Sequence, residues 1–437
     1  MPSLASDLGP VVAKDGRPLD PRFAGGVDSG CAGPDGTASA IRAEAAADVR
    51  HLSELGVGRI LRGGRGSTPK SGAFVVGVLP GVGVGPEVVA AALDVLGAVA
   101  DVGCERFEVR TGPEACLTPA DQATSLSPHE TEFCRALFEE GGALVCGPKA
   151  GRFVYELRAR FGLFCKLTPV RPLAALSDTG ALRAEAIREV DVLFVRENVG
   201  GLYFGSSEAR REGGRLAEAH QAFHYTREQV DRILRIAMEL AVSRRGRLAV
   251  VTKPGGVPAI SALWQESASE LNQDFGVELE AIEVDNACYQ VVANAAHFDV
   301  VVSPNMFGDV LADTAALLLG SRGMSFSGNF AEDGASVYQT AHGAALDLAG
   351  SDRANPVGQI QSLAMLLEES FGRFELGAIV RRAIESVLAE GWRTADVMAP
   401  GCHLVGTREL GKRIAERTHA AASERELRAM GPRAWRT

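Results

Sequence analysis

The feature that most constrains the fold is a rhythm. Between residues 73 and 305, short aliphatic and β-branched runs ("AFVVGVLPG", "GALVCG", "VDVLFVREN", "RLAVVTK", "VELEAIEVD", "FDVVVSPN") alternate with longer amphipathic ones ("PEVVAAALDVLGAVA", "TREQVDRILRIAMELAVSRR", "ISALWQESASELNQDFG"). The short runs have strand length and strand composition, and the long ones have helical period. Parallel strands need a crossover of a dozen or more residues, usually a helix. The alternation therefore predicts an α/β protein with a largely parallel sheet. In such sheets ligands gather at the carboxyl ends of the strands, so the residues that follow each short run are the first candidates for chemistry.

The first 71 residues break the rhythm. They are rich in Gly, Ala, Ser and Pro ("RFAGGVDSGCAGPDGTASA", "LRGGRGSTPKSG") and read as an appendage with one short helix around "ASAIRAEAAADVRHLSELG". No apolar run reaches membrane-spanning length. No basic segment followed by an apolar one opens the chain, and the eight cysteines are scattered with no CxxC pair. A reduced, cytoplasmic protein is the expectation. A net charge of −10 argues against a broad nucleic-acid surface, which needs a basic stripe, but leaves room for a small anionic substrate gripped by a few arginines.

"NMFGDVLAD" poses the sharpest chemical question. Asp309 and Asp313 are four apart on one predicted helix, beside an apolar stripe of Phe307, Val310, Leu311, Ala315 and Leu318. Like charges at that spacing repel, and desolvation makes the cost larger. A hard divalent cation with oxygen ligands relieves it; a solvated helix face does so too, and spacing alone leaves both open. Asp285 sits where a strand run ends and a helix begins, as a third acid or a helix N-cap. Lys253 ends the "RLAVVTK" strand beside glycines, either as a base or as a surface lysine. Arg196 and Glu197 follow a buried strand, where an arginine suits a carboxylate clamp. Tyr203 follows Gly-Gly and is placed as a proton donor or as an ordinary strand residue. "GVLPGVGVGPEVV" does not fit G-x-G-x-x-G, since Gly81, Gly83 and Gly85 alternate.

Taken together and in this order, "LPGVGVGPEVV", "LRARFGLFCKLTPVRP", "VRENVGGLYFG", "VDNACYQVV", "FDVVVSPNMFGDVLADTAALLLGSRGM", "AHGAALDLAGSDRANP" and "RTADV…VGTRELG" resemble the β-decarboxylating dehydrogenases, over about residues 73 to 420. That family covers 3-isopropylmalate, isocitrate, homoisocitrate and tartrate/D-malate dehydrogenases, and "GGLYFG" with "FGDVLAD" are most like the 3-isopropylmalate type. The resemblance implies two α/β domains around a cleft. These are a discontinuous cofactor domain (72–163 with 320–420) and a central substrate, metal and dimerisation domain (164–319), flanked by the extension 1–71 and a tail 421–437. It implies a homodimer with shared active sites. Asp309 and Asp313 would bind Mg²⁺ or Mn²⁺ with Asp285 of the other subunit. Arg158 and Arg196 would hold carboxylates of a 2-hydroxy di- or tricarboxylate. Lys253, also from the other subunit, would accept the hydroxyl proton, and Tyr203 would protonate carbon after CO₂ leaves. His342, Gly343, Asp347 and Asn355 would line the adenosine site. Asp347 favours NAD, because a carboxylate accepts hydrogen bonds from ribose hydroxyls and repels a 2′-phosphate; otherwise it caps a turn.

The chain also departs from the family pattern. Lys166 stands where Asn is usual, Thr168 where an arginine is usual, Val82 for Asp, Gly255 for Asn and Val199 for Thr. The segment before Arg158 is short and carries Arg152. Lys166 or Arg152 is thus expected to restore a positive charge for a differently shaped substrate; the alternative is that Lys166 snorkels to solvent. The expected reaction is NAD- and metal-dependent oxidative decarboxylation of 3-isopropylmalate or a specialised analogue. Tartrate/D-malate or isocitrate/homoisocitrate activity is the runner-up, and a catalytically silent regulatory subunit the rival class.

Overall fold

The computed structural model describes Leu61 and residues 72–420, apart from 104, 114–124 and 150. Apart from Leu61, the extension and tail read from the sequence lie outside the described residues, and everything described belongs to the compact unit Val49–Thr437.

Twelve strands carry the architecture: β1 Phe74–Leu79, β2 Phe107–Thr111, β3 Ala143–Cys146, β4 Cys165–Val170, β5 Val192–Glu197, β6 Ser206–Glu212, β7 Arg215–Ala222, β8 Arg247–Thr252, β9 Glu278–Glu283, β10 Val300–Ser303, β11 Phe326–Phe330 and β12 Ser336–Thr340. Ten of them form one sheet in the order β2-β1-β3-β12-β11-β4-β5-β10-β8-β9. Pairing is parallel throughout except around β11 and β4, where β11–β12, β11–β4 and β4–β5 are antiparallel. The sheet is therefore largely parallel, as the alternation predicts. Its two halves meet at the β11–β4 pair. The exception, β6–β7, is a separate hairpin whose residues are all exposed.

Both faces of the sheet are buried, as parallel sheets require. In β1, Phe74, Val76 and Val78 enter the main core while Val75 and Leu79 enter a second core with Leu137, Leu144 and Leu157. Period-2 alternation thus feeds two apolar layers from one strand. The helices that matter to the site are α1 Gly85–Gly103, α2 Phe153–Arg160, α3 Val284–Ala293 and α4 Asn305–Ala315. In α4 the buried face is Asn305, Gly308, Leu311 and Ala315. Val310, placed on the apolar stripe by the sequence, is 50% exposed. Among the described residues no helix is long and apolar enough to cross a membrane.

Candidate active site

Arg196 is the penultimate residue of β5, and β10 leads through Pro304 into α4, so the parallel β5–β10 pair brings Arg196 and the first turn of α4 together. Gly308 makes the approach possible. A Cβ there would lie 2.4 Å from Ser303 Oγ and 3.0 Å from Arg196 Cβ. Arg196 is buried, and its Nε and Nη2 donate to Asn305 Oδ1 at 2.9 and 2.7 Å. Its Nη1 donates to Asp309 Oδ1. Asn305 in turn donates to Gly200 O at 2.8 Å, and its backbone N–H donates to the Tyr225 hydroxyl at 2.9 Å. That hydroxyl also hydrogen-bonds Glu197, whose carboxylate accepts from the N–H groups of Val199 and Gly200 at 3.0 and 2.9 Å. Burial pushes the Glu197 carboxyl up, and these N–H groups oppose the shift. A closed polar network thus fixes Arg196, the start of α4 and the Gly200–Gly201 turn against one another.

Tyr203 sits on that turn, in a 3-10 segment (Leu202–Phe204) rather than a strand. Its hydroxyl donates to Asp309 Oδ2 at 3.0 Å. Burial, and then the Asp309 charge, push the phenol up to about 12. Tyr203 therefore keeps its proton at neutral pH and presents it next to Asp309. For Asp309 burial acts upwards, but Arg196, Lys166, the Tyr203 hydroxyl and Arg158 outweigh it and hold the carboxyl below its ordinary value. Asp309 is ionised.

Arg158, from α2, and Lys166, from β4, complete a cluster of cations around Asp309. Both are buried, at 6% and 7% exposure, so Lys166 does not snorkel to water. Arg158 Nε has no hydrogen-bond partner, and Lys166 makes no hydrogen bond or ion pair among the described residues. Burial, then Arg158 and Arg196, pull the Lys166 amine down to about 7. Arg158 is pushed down by burial and then by Arg196, though a guanidinium stays protonated at neutral pH. Arg152 is exposed; its guanidinium lies 5.9 Å from the Tyr155 ring, which packs edge-on against Tyr203 at 5.5 Å. Three buried cations converging on one carboxylate leave positive charge uncompensated, and an anionic ligand is the natural counterpart.

Asp313 is half-exposed and paired with Arg322 at 2.7 Å. Asp285 belongs to another group. It lies in the first turn of α3, where Glu283 rather than Asp285 holds the N-cap position. Lys253 Nζ donates to Glu283 and Asp285 at 2.7 and 2.9 Å, and both bonds raise the lysine. Among the described residues no three His, Cys, Asp or Glu side chains come together to hold a metal, so one chain does not unite Asp285 with Asp309 and Asp313.

The residues expected at the adenosine site fall on and near one loop. Gly83 (φ +63°) is what lets the glycine turn before α1 press on it: a Cβ would meet Ala344 O at 1.9 Å, and Val84 N donates to that oxygen at 2.9 Å. His342 Nδ1 is hydrogen-bonded to Gly343 O at 2.9 Å, while its Nε2 has no hydrogen-bond partner among the described residues. Asp347 is exposed in a 3-10 turn, and its carboxylate takes no hydrogen bond among the described residues. Asn355 is tied into the chain near the same loop. Its Nδ2 donates to Asp396 at 3.0 Å and its Oδ1 accepts from Val357 N at 3.0 Å.

Comparison with known proteins decides the family. The family model for isocitrate/isopropylmalate dehydrogenase matches residues 75–414. The chain belongs to the isocitrate/isopropylmalate dehydrogenase family. It is similar to a 3-isopropylmalate dehydrogenase from Priestia megaterium, 40% identical over 349 residues, covering 78% of this chain and 94% of that protein. A 3-isopropylmalate dehydrogenase from Halalkalibacterium halodurans is 38% identical over 356 residues, covering 79% and 98%. Among solved structures, isocitrate dehydrogenase from Methylococcus capsulatus superposes with a TM-score of 0.68 at 26% identity, covering 79% of this chain and 99% of that one. As a member of this family the protein is a decarboxylating dehydrogenase. Two residues of this dehydrogenase escaped the sequence reading, Asn305 and Tyr225.

Proposed function

We propose that this dehydrogenase oxidatively decarboxylates a 3-substituted malate-type 2-hydroxy acid, 3-isopropylmalate or a specialised analogue, using NAD and Mg²⁺ or Mn²⁺. The observation that carries the reading is the convergence of buried Arg158 and Arg196 on Asp309, with the Tyr203 hydroxyl on the same carboxylate. The arginines bind and orient substrate carboxylates. Tyr203, holding its proton, donates it to the carbon that CO₂ leaves.

The residues fit the two groups the family requires. Asp309 and Asp313 offer only hard oxygen donors, and each already faces a cation, Arg196 and Arg322. The Nε2 of His342 and the unoccupied carboxylate of Asp347 suit an adenine and a ribose. When bound, the divalent ion supplies Lewis acidity at the substrate oxygens and the nicotinamide accepts the hydride. Asp347 favours NAD over its 2′-phosphorylated form.

The same reading makes the protein a homodimer with shared sites, in which Asp285 and Lys253 act on the other subunit's substrate. Support comes from the separation of Asp285 from the other two acids, and from exposed apolar side chains beside them: Tyr289 on α3 is 69% exposed, Val310 on α4 50% and Leu317 just beyond it 49%. The two halves of the sheet are then the two domains, 72–163 with 320–420 and 164–319, hinged about the β11–β4 pair.

NADH production across a panel of 2-hydroxy diacids, with and without Mn²⁺, tests the proposal. At least one diacid should be turned over only with the metal, and Mn²⁺ should raise the melting temperature of wild type but not of Asp309→Asn. No turnover on any diacid, in folded protein with no Mn²⁺-dependent shift, would point to a silent regulatory subunit.

A further inference from the structure

We propose that Lys166 is a specificity-determining residue, which pairs with Arg196 to hold a carboxylate of the substrate and so selects dicarboxylates over monocarboxylates. The inference deepens the proposed function and rests on it for the reaction, but not for the binding. Strands β4 and β5 run antiparallel with Lys166 directly opposite Arg196. Directly opposed residues share a sheet face with Cβ atoms about 5 Å apart, and like charges placed so destabilise a sheet. Arg196 stands at the carboxyl end of β5, where the site lies, and Thr168 pairs one step further back with Phe194. The cation of β4 is therefore moved towards the site relative to Thr168, by about 7 Å along the strand.

Among the described residues its charge is answered only at a distance, by Asp309 and Asp313, and the two guanidiniums outweigh them. Lys166 is buried and has no hydrogen bond or ion pair among the described residues, while the guanidinium of Arg196 is already bound to Asn305 and Asp309. Arg158 adds a third cation, whose Nε has no hydrogen-bond partner among the described residues. A buried ammonium beside two guanidiniums is a cost to the empty protein, and the low amine value noted above is its symptom. Binding sites keep such costs where a ligand of opposite charge relieves them. An ammonium offers donors from a single point rather than a guanidinium's planar fork, so it suits a carboxylate approached end-on over the strand.

The experiment pairs stability with binding in the full-length protein. Calorimetry with Mn²⁺ present would titrate 3-isopropylmalate, D-malate and D-tartrate, and D-lactate as the monocarboxylate, into wild type, Lys166→Met, Lys166→Arg and the control Thr168→Val. Lys166→Met should melt higher than wild type, because it removes a buried amine set beside two guanidiniums. It should also bind the dicarboxylates about ten- to a hundredfold more weakly, the worth of one charge-assisted hydrogen bond. Binding of lactate should change less, Lys166→Arg should keep most of the affinity, and Thr168→Val should match wild type. Dicarboxylate affinity within twofold of wild type in Lys166→Met would overturn the proposal. So would a lower melting temperature alongside weaker binding, which marks a structural lysine, or a wild type that binds none of the dicarboxylates. Tight binding without NADH production would leave Lys166 in place and overturn the decarboxylation instead.

Discussion

Asn305→Leu isolates the device that aims Arg196. Leucine matches asparagine closely in shape but can neither accept from the guanidinium nor donate to Gly200 O. The wild-type residue takes two N–H groups of Arg196 at 2.9 and 2.7 Å and donates to Gly200 O at 2.8 Å, all buried. A hydrogen bond to a charged group is worth about 1.5–3 kcal/mol and a neutral one about 1 kcal/mol. The two bonds from Arg196 share one oxygen, so together they count for less than twice one. The loss should come to about 3–4 kcal/mol. Urea unfolding should show it as a midpoint lower by roughly 1 M at an unchanged slope, for a slope near 3 kcal/mol/M. Steady-state kinetics should show a raised KM for the diacid, because the guanidinium then answers only to Asp309. An unmoved midpoint with an unmoved KM would refute the reasoning, since Arg196 would have shown that it needs no clamp.

Gly308→Ala should destabilise by about 1–3 kcal/mol through the contacts with Ser303 Oγ and Arg196, reversing the gain of about 1 kcal/mol that alanine brings to a helix interior; chemical denaturation reads the sign. Because the cations hold Asp309 below its unfolded value, its contribution is complete above the ordinary carboxylate range of about pH 4 and fades as the pH falls through the folded value. Asp309→Asn should accordingly flatten the acid limb of a melting-temperature profile. Asp347→Lys should shift the ratio of kcat/KM for NAD to that for NADP towards NADP by at least tenfold, about 1.4 kcal/mol, if the exposed carboxylate faces the ribose.

The strands and helices were legible because their signal is local. The expected runs at β1, β3, β5, β8, β9 and β10 all appear, as do the intervening helices. Less was visible where a residue's surroundings come from far along the chain. Strand β4 is a mixed run, "CKLTPV", whose buried lysine reads as polar, so neither the strand nor the depth of Lys166 shows in a hydropathy pattern. The partners of Asn355, Asp396 and the start of a helix, are likewise invisible in its motif.

The sequence by itself determined the α/β class, the family and the identity of the acids and cations, because period, turn chemistry and motif order are properties of neighbouring residues. Only the tertiary structure decided how those groups are paired. Arg196 meets Asn305 and Asp309 more than a hundred residues away, Lys166 faces Arg196 across an antiparallel rung, and Asp285 stands apart with Lys253. Charge interactions depend on distance and burial, and both are set by how the strands are ordered in the sheet.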